Sequence, residues 1–258
     1  MKRLTTLLIL LITISLLGAC STNSSDKEKE NQLIIGIDDA FAPMGFRDED
    51  NEIVGFDIDL AKAVIEEMGK EAVFQPIDWG SKETELQSGR IDLIWNGYTV
   101  TEERKEKVLF TEPYLANSQV VAILKDSDIK SLSDLAGKSV GLQAQSSASN
   151  ALNGSDIASE IKDVSEYKTN VLALQDLDSG RVDAIVIDEV VIDYYMTIKP
   201  DTYKVLEESL APELYAVGVK KGNDELLEEL QKAMDEVIAN GTAAAISEKW
   251  FGEDKILN

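Results

Sequence analysis

The sequence contains no histidine and a single cysteine, and each shortage removes a class of chemistry. Without histidine there is no Ser-His-Asp triad, no Cys-His dyad and no metal site with an imidazole ligand. Cys20 has no second cysteine to pair with, so an intramolecular disulfide is excluded. An acidic Mg²⁺ or Ca²⁺ site stays open, but the chain has no Asp-x-Asp-x-Asp-Gly loop. We therefore expect no cofactor and no metal.

Basic residues are also scarce. The chain has 25 Lys and Arg against 48 Asp and Glu, a formal net charge of −23 at pH 7. Nucleic-acid binding requires a basic surface, so a nucleic-acid partner is disfavoured. An acidic excess suits a soluble, exposed protein but does not identify a ligand. The 258 residues and 44% hydrophobic content allow one large domain or two small ones with real cores.

The N-terminus has the pattern of an export signal. Lys2 and Arg3 precede an apolar run from Leu4 to Leu17, which is too short for a comfortable membrane span. The ending Leu17-Gly-Ala-Cys20 resembles a bacterial lipobox, which implies a signal peptide at 1–19 and a lipid on Cys20. An ordinary secretory signal with an incidental cysteine is the alternative. Residues 20–32 include no apolar residue after the cysteine and predict a flexible, lipidated tether.

From residue 33 onward, strand and helix patterns alternate, which predicts an α/β protein with mainly parallel sheets. The central stretch is 91–104, where a buried strand ends in a polar cluster that contains Asn96, Gly97 and Thr99. A short helix capped by Thr101 then carries Arg104 in its first turn. Ligands of open α/β sheets bind at the carboxyl ends of strands, so this cluster is a candidate site.

Local patterns predict several further elements. Asp57 is expected to cap a helix that stops at Gly69, and 131–137 is expected to form a capped short helix. The segment from Leu214 to Val219 is expected to form one strand. A helical face of apolar side chains is formed by Leu226, Leu227, Leu230, Met234, Val237 and Ile238.

One nine-residue pattern occurs twice. Leu86-Gln-Ser-Gly-Arg-Ile-Asp-Leu-Ile94 is matched, 91 residues later, by Leu177-Asp-Ser-Gly-Arg-Val-Asp-Ala-Ile185. Each copy predicts the end of a helix, a glycine cap and a buried strand, although this sequence of features also arises twice by chance in α/β proteins. The shared register favours two related lobes with a cleft between their strand ends.

The polar strand ends suit a free amino acid. Its carboxylate requires a bidentate arginine, hydroxyls and backbone N–H groups, which Arg104 and Thr99 could supply from one lobe. Ser146 and Ser147 open a helix in the other lobe and could supply the rest. The ammonium group requires a carboxylate, and Asp188 ends a buried strand.

Phe41 and Trp79, on two loops at the same sheet edge, could form the apolar walls. Each of these residues has an ordinary structural explanation as well. An arginine in an acidic helix is usually solvated, aromatic residues usually belong to the core, and serine or aspartate often caps a helix. Only their joint placement at predicted strand ends favours a binding site.

The chain from Leu33 to the C-terminus resembles the polar amino-acid family (family 3) of solute-binding proteins of ABC importers. The resemblance is carried by Gly-Ile-Asp38-Asp-Ala-Phe41-Ala-Pro-Met-Gly-Phe, Gly55-Phe-Asp-Ile-Asp-Leu-Ala-Lys, Leu-Gln-Ser-Gly-Arg-Ile-Asp92, Gly97-Tyr-Thr-Val-Thr-Glu-Glu-Arg104-Lys, Phe110-Thr-Glu-Pro-Tyr114, Leu-Ala-Gly-Lys-Ser-Val-Gly141 and Gly180-Arg-Val-Asp-Ala-Ile-Val-Ile-Asp188.

This resemblance implies the two-lobed, type II periplasmic-binding-protein-like fold, in which a two-strand hinge joins lobes with mainly parallel sheets. Lobe 1 would comprise 33–116 plus 214–258, and lobe 2 would comprise 117–213. It implies a monomeric, non-enzymatic receptor that closes like a Venus flytrap on a free L-amino acid. The receptor would sit on the outer face of the cytoplasmic membrane through its lipid anchor and deliver the ligand to the permease and ATPase complex of an ABC transporter.

The resemblance also implies roles for individual residues. Gly97, Thr99 and Arg104 would hold the α-carboxylate and α-amine from lobe 1. Asp188 would take the α-ammonium, and Ser147 would bind the carboxylate from lobe 2. Phe41 and Trp79 would flank the ligand's side chain.

Asp38 would face the end of the ligand's side chain and favour basic or amide side chains over acidic ones. The chain departs from the family pattern at Asn96, where a small residue is more usual, and at Gln145-Ser-Ser147. The cognate amino acid stays open, as do the roles of Gln143, Gln145 and Glu189 in selectivity.

Two other functions compete with transport. The fold also resembles cyclohexadienyl dehydratases, and a dehydratase or lyase would need a carboxyl of raised pKa, such as Glu83 or Glu189, as general acid. A sensor or adhesin lipoprotein is the third possibility.

Overall fold

The computed structural model describes residues 31–257 of the chain. The predicted signal peptide and Cys20, the predicted site of a lipid, lie outside these residues. In the part that is described, no helix is both long enough and apolar enough to cross a membrane.

Short strands and helices alternate through the described chain. The first group comprises β1 (Gln32–Ile37), β2 (Ala40–Phe41), β3 (Gly45–Arg47), β4 (Ile53–Val54), α1 (Phe56–Glu67), β5 (Glu71–Pro76), α2 (Lys82–Ser88), β6 (Leu93–Ile94), α3 (Glu102–Lys107) and β7 (Val108–Phe110). The second group comprises β8 (Leu115–Leu124), β9 (Ser139–Gln143), α4 (Ser147–Asn153), β10 (Asp163–Tyr167), α5 (Asn170–Asp178), β11 (Ala184–Asp188), α6 (Glu189–Ile198) and β12 (Tyr203–Val205). The last group comprises β13 (Ala211–Tyr215), β14 (Gly218–Lys220), α7 (Asp224–Ala239) and α8 (Thr242–Phe251).

The first lobe is built on a five-stranded sheet in the order β5-β1-β6-β14-β7. β1 and β6 run parallel, with Ile35 opposite Leu93, and β14 returns antiparallel to both β6 and β7. The central strands are buried on both faces because helices cover them, which explains their continuous apolar sequence. A separate three-stranded sheet, β2-β3-β4, turns at Asn51, whose φ of 65° suits an asparagine.

The second lobe repeats this arrangement. Its sheet has the order β10-β9-β11-β8-β12, with β9 and β11 parallel and β8 antiparallel to β11 and β12. Each strand therefore has a counterpart in the first sheet, and β11 takes the place that β6 has there. Two lobes of related topology, as the duplicated pattern predicts, are confirmed.

Two antiparallel strands connect the lobes. β13 pairs with β8 along the register that places Glu213 opposite Asn117 and Tyr215 opposite Leu115. At the end near the first lobe, Tyr215 also bridges to Thr99, while β8 continues into the second sheet. Polar side chains on these strands therefore lie at the base of the cleft.

The C-terminal helices complete the core of the first lobe. α7 buries Leu230, Ala233, Met234 and Val237, which recur every three or four residues along one face as the sequence predicts. Each large apolar side chain buried in this way contributes about 1.5–3 kcal/mol. α1 packs against both C-terminal helices, so the two ends of the first lobe's sequence share one core.

The structure corrects three local expectations. Helix α1 has Gly55 at its N-cap, and the side chain of Asp57 does not cap it but points into the interior. The predicted strand from Leu214 to Val219 is two strands, β13 and β14, which belong to different sheets. The capped segment after Ser131 forms a single 3-10 turn at Leu132–Leu135. Interactions with distant segments decide the first two of these features, so local patterns could not reveal them.

Candidate functional site

The strand end of the first lobe is held by a buried carboxylate. Oδ2 of Asp57 accepts the N–H of Gly97 at 2.7 Å, and the hydroxyl of Tyr114 donates to Oδ1 at 2.8 Å. Burial raises the pKa of Asp57 to about 7. The two hydrogen bonds stabilise the ionised form and oppose this rise. Gly97 has a φ of 56°, and a Cβ atom at this position would lie 2.7 Å from the ring of Phe41. Only glycine fits here.

Arg104 is brought into the interior by its short helix. The side chain of Thr101 accepts the N–H of Arg104 at 3.1 Å, which confirms the predicted cap of α3. The guanidinium carbon lies 4.6 Å from the centre of the Tyr98 ring, and Nη1 donates to the carbonyl oxygen of Thr99 at 2.9 Å. Arg104 is only 6% exposed, so it is not a solvated helix charge. Stacking on Tyr98 and the hydrogen bond to the carbonyl oxygen of Thr99 fix the orientation of the guanidinium group, which carries five N–H donors.

The second lobe meets this strand end at the start of α4. The hydroxyls of Thr99 and Ser147 are 3.1 Å apart, and both residues are buried. The hydroxyl of Ser146 is turned away from the partner lobe and donates to the carbonyl oxygen of Gln143 in its own loop, at 2.7 Å. The two predicted serines therefore differ, because only the side chain of Ser147 reaches across.

Asp188 is the last residue of β11 and is 4% exposed. Its Oδ2 accepts hydrogen bonds from Nδ2 of Asn117 at 2.9 Å and from the hydroxyl of Tyr215. Burial, followed by the neighbouring carboxylate of Glu213, raises the pKa of Asp188 to about 7. Asp188 stands at the N-cap of α6, but its side chain makes no capping hydrogen bond, so capping does not account for it.

Two aromatic residues flank the strand end as predicted, and both are buried. Phe41 contacts Gly97, while Trp79 lies edge-on to Tyr98 with ring centres 6.0 Å apart. Lys82, which the sequence did not single out, covers the ring of Trp79 at 5.0 Å. Its Nζ donates to the carbonyl oxygen of Gln145 in the second lobe at 3.0 Å. Burial, with the charge of Arg104 as second cause, lowers the pKa of Lys82 to about 8.

Asp38 pairs with an amide of the opposite lobe. Nε2 of Gln143 donates to Oδ2 of Asp38 at 2.7 Å, and both side chains are buried. Burial raises the pKa of Asp38, although the hydrogen bonds from Gln143 and from the N–H of Ala40 oppose that shift. With the contacts of Thr99 and Lys82, this hydrogen bond joins the two lobes across the cleft, so the structure is a closed form of the two lobes.

Two more residues that the sequence singled out are Asn96 and Glu189. Asn96 is 1% exposed, and its Nδ2 and Oδ1 have no hydrogen-bond partner among residues 31–257. Its amide lies against Gly45 of the first lobe, since a Cβ atom on Gly45 would be 2.2 Å from Oδ1 of Asn96. Glu189 is exposed in the first turn of α6.

Sequence reasoning missed the polar face of the connecting strands. Asn117 and Gln119 alternate on β8 and are 6% and 0% exposed, and Glu213 and Tyr215 alternate on β13. Buried amides at i and i+2 in an otherwise apolar strand are a signal that could have found them. No group of three or more Asp, Glu, His or Cys residues suited to a metal ion occurs within 31–257.

Two α/β lobes that are joined by two strands, and whose polar strand ends close on each other, define the class of two-lobed solute-binding proteins. Residues 33–253 match the family described as bacterial extracellular solute-binding proteins, family 3. The chain belongs to that family.

Curated and solved relatives agree with this assignment. The arginine-binding extracellular protein ArtP of Bacillus subtilis is 33% identical over 246 residues, which is 95% of each chain. The L-cystine-binding protein TcyJ of Escherichia coli is 32% identical and covers 89% of this chain and 86% of its own length. An ABC uptake transporter substrate-binding protein from Streptococcus pneumoniae with bound histidine has a TM-score of 0.86 at 40% identity. That alignment covers 92% of this chain and 98% of the other.

Proposed function

We propose that this protein is the extracytoplasmic receptor of an amino-acid ABC importer, and that it captures a free L-amino acid between its lobes. The observation that carries the proposal is that buried polar residues of the two lobes converge: Thr99, Arg104, Ser147 and Asp188. The first three offer hydrogen-bond donors to the ligand's carboxylate, and Asp188 offers a carboxylate to the ligand's ammonium group. Buried opposite charges on one ligand are tolerable when each is paired, and this set can pair both.

Each lobe contributes half of the recognition. Arg104, Thr99 and Ser147 hold the α-carboxylate, Asp188 holds the α-ammonium, and Phe41 and Trp79 flank the side chain. The lobes comprise 33–116 plus 214–258 and 117–213, and they close as the ligand contacts both. Cys20 carries the lipid that keeps the receptor at the outer face of the cytoplasmic membrane. The closed form, as a monomer, delivers the ligand to the permease and ATPase complex.

Asp38 and Gln143 bias the choice of ligand. A buried carboxylate beside an amide at the side-chain end of the site repels glutamate and aspartate and accepts from donor-rich side chains. Basic and amide amino acids are therefore the expected ligands. The names of relatives include arginine-binding and cystine-binding proteins, and one solved relative holds histidine.

The dehydratase alternative loses its general acids. Glu83 accepts the hydroxyl of Tyr98 at 2.9 Å and lies 3.6 Å from Nζ of Lys82, so it is engaged in the wall of the first lobe. Glu189 is exposed. Neither carboxyl is therefore both unpaired and buried, which is the setting that a general acid of this kind needs.

A thermal-shift panel of the twenty amino acids with cystine and ornithine tests the proposal. A cognate ligand at a hundredfold excess over its Kd stabilises the folded form by about 2.7 kcal/mol, which raises the Tm by several degrees. The absence of a shift with every compound would contradict the proposed function.

The role of Asp38 has a test of its own. If titration calorimetry showed glutamate to be the tightest ligand, that result would contradict the role of Asp38. Asp38→Asn should relax the preference, whereas Asp39→Asn, whose carboxylate pairs with Arg47 at the surface, should not.

A further inference from the structure

The base of the cleft holds a second carboxylate beside Asp188. Glu213 projects from β13, and its Oε2 accepts three hydrogen bonds: from Oγ1 of Thr99 at 3.1 Å, from Nδ2 of Asn117 at 3.2 Å and from Nε2 of Gln119 at 3.1 Å. One donor belongs to the first lobe and two belong to β8. These bonds fix the position of the carboxylate where the lobes meet.

Glu213 and Asp188 share a donor. Nδ2 of Asn117 donates to Oε2 of Glu213 and, at 2.9 Å, to Oδ2 of Asp188. The two hydrogens of an amide nitrogen point about 120° apart, so these two carboxylate oxygens lie about 5 Å from each other. A single ammonium group placed between them would contact or nearly contact both.

The pair has no protein cation. Of the ion pairs formed within 31–257, none includes Asp188 or Glu213. The other side chains on the pair are the neutral groups Asn117, Gln119 and Tyr215, together with the hydroxyl of Thr99. Two like charges in a largely buried site are unfavourable unless a cation or a proton joins them.

We propose that Glu213 is a specificity residue that acts with Asp188 as a two-carboxylate receptor for the ligand's α-ammonium group. This role rests on the proposed function and extends it to the connecting strand β13. It explains why three donors orient Glu213 toward the cleft, and it makes a positively charged amine a requirement for tight binding.

The arrangement also predicts that binding releases a proton. The titratable groups that face Asp188 are Glu213 and Tyr215, both on β13, while the side chains of β8 are amides. Burial and the charge of Glu213 raise the pKa of Asp188 to about 7, so Asp188 is partly protonated near neutral pH in this closed arrangement of the lobes. An ammonium group that enters between the two carboxylates favours their ionised forms, so binding near pH 7 should release protons.

Titration calorimetry with Glu213→Gln tests the proposal, with Glu207→Gln, at an exposed position of lobe 2, as the matched change of charge. The probe is L-arginine, or whichever amino acid gives the wild type the largest thermal shift. Two buffers of different ionisation enthalpy report the protons released. Glu213→Gln should weaken binding at least tenfold and reduce proton release, because loss of the neighbouring charge lowers the pKa of Asp188. Glu207→Gln should change neither.

Each other outcome is decisive. Binding by Glu213→Gln within twofold of the wild type, with unchanged proton release, would overturn the proposal. So would tighter binding, which would show that Glu213 competes with the ligand's carboxylate for Thr99. If Glu213→Gln fails to fold, Glu213→Asp decides, because it keeps the charge but draws it back from the ammonium group, and binding within twofold of the wild type overturns the proposal. A wild type that binds no amino acid refutes the proposed function instead.

Discussion

Gly97 and Asp188 occupy equivalent positions after the two copies of the duplicated sequence pattern. They are 91 residues apart, the spacing of that pattern; Asp188 is the last residue of β11, and Gly97 lies three residues beyond β6. In the first lobe the position has no side chain, and a carboxylate from helix α1, Asp57, holds its backbone from behind. In the second lobe the position is itself the carboxylate.

The scaffold around these two positions is the same. Asp92 accepts the N–H of Ile34, on the neighbouring strand, at 2.8 Å, and Asp183 accepts the N–H of Ser139 at 2.8 Å. The glycines that end the preceding helices, Gly89 and Gly180, have φ angles of 74° and 70°. The duplicated residues therefore build the strand, and the binding chemistry depends on Gly97 and Asp188, where the copies differ.

The largest expected effect comes from Asp188→Ala. Loss of the buried carboxylate leaves the ligand's ammonium without its main partner, so affinity should fall about a thousandfold. Calorimetry measures the loss, and a thermal melt without ligand checks the fold. The variant should be at least as stable as the wild type above pH 7, because it removes a buried negative charge beside Glu213. Affinity within tenfold of the wild type would contradict the assignment of the ammonium site.

Arg104→Ala should cost about a hundredfold in affinity, since a bidentate partner for the carboxylate is lost. Arg90→Ala is the matched control, because Arg90 is exposed and pairs with Glu85 on α2. Calorimetry measures the affinity of both variants. The comparison separates the effect of losing Arg104 from the binding site from the effect of losing one positive charge. Equal affinities would mean that Arg104 only supports the packing of Tyr98.

Gly97→Ala should destabilise the protein by about 3 kcal/mol, from a positive φ and from the clash with Phe41. Gly89→Ala, at a φ of 74° with no atom within 4 Å of its Cβ position, isolates the backbone cost, about 1 kcal/mol. Urea unfolding of both variants gives the difference. If the two variants lost equal stability, the requirement for glycine at position 97 would come from its backbone conformation and not from close packing against Phe41.

Asp57→Asn should change the pH dependence of stability. The pKa of Asp57 is about 7 in the folded protein and close to 4 when unfolded, so the folded state binds more protons between these values. Stability is therefore lost as the pH rises, by up to about 1.4 kcal/mol per unit between pH 5 and 6.5. The variant should lack this part of the slope. Urea unfolding from pH 4.5 to 8 measures it, and parallel slopes for the two proteins would refute the shift.

The smallest effect compares the two copies directly. Asp92→Ala and Asp183→Ala each remove one hydrogen bond between side chain and backbone, which costs about 1 kcal/mol. Because the two bonds have the same length and join equivalent strands, the two losses should agree within about 0.5 kcal/mol. Unequal losses in urea unfolding would show that the copies share a sequence but not an energetic role.

Much of the site was predictable because strand ends carry a local signature. Thr101 caps α3 as expected, and this cap is what places Arg104 at the cleft. Asn96 shows the limit of this reasoning. It belongs to the same polar cluster, but packing turns its amide toward Gly45 in the wall of the first lobe. The direction of a side chain beyond the end of a strand depends on tertiary packing, so membership of a polar cluster does not establish contact with a ligand.

The sequence by itself determined the alternation of strands and helices, the duplicated scaffold and the polar residues that follow or end its two central strands. These features depend on interactions between near neighbours, which periodicity and capping reveal. Only the tertiary structure decided that Asp57 supports Gly97 and that Glu213 joins Asp188. Glu213 and Thr99 are 114 residues apart and meet because β13 leaves one sheet for the other. A hydrogen bond between such distant residues depends on how two lobes pack, so no local pattern encodes it.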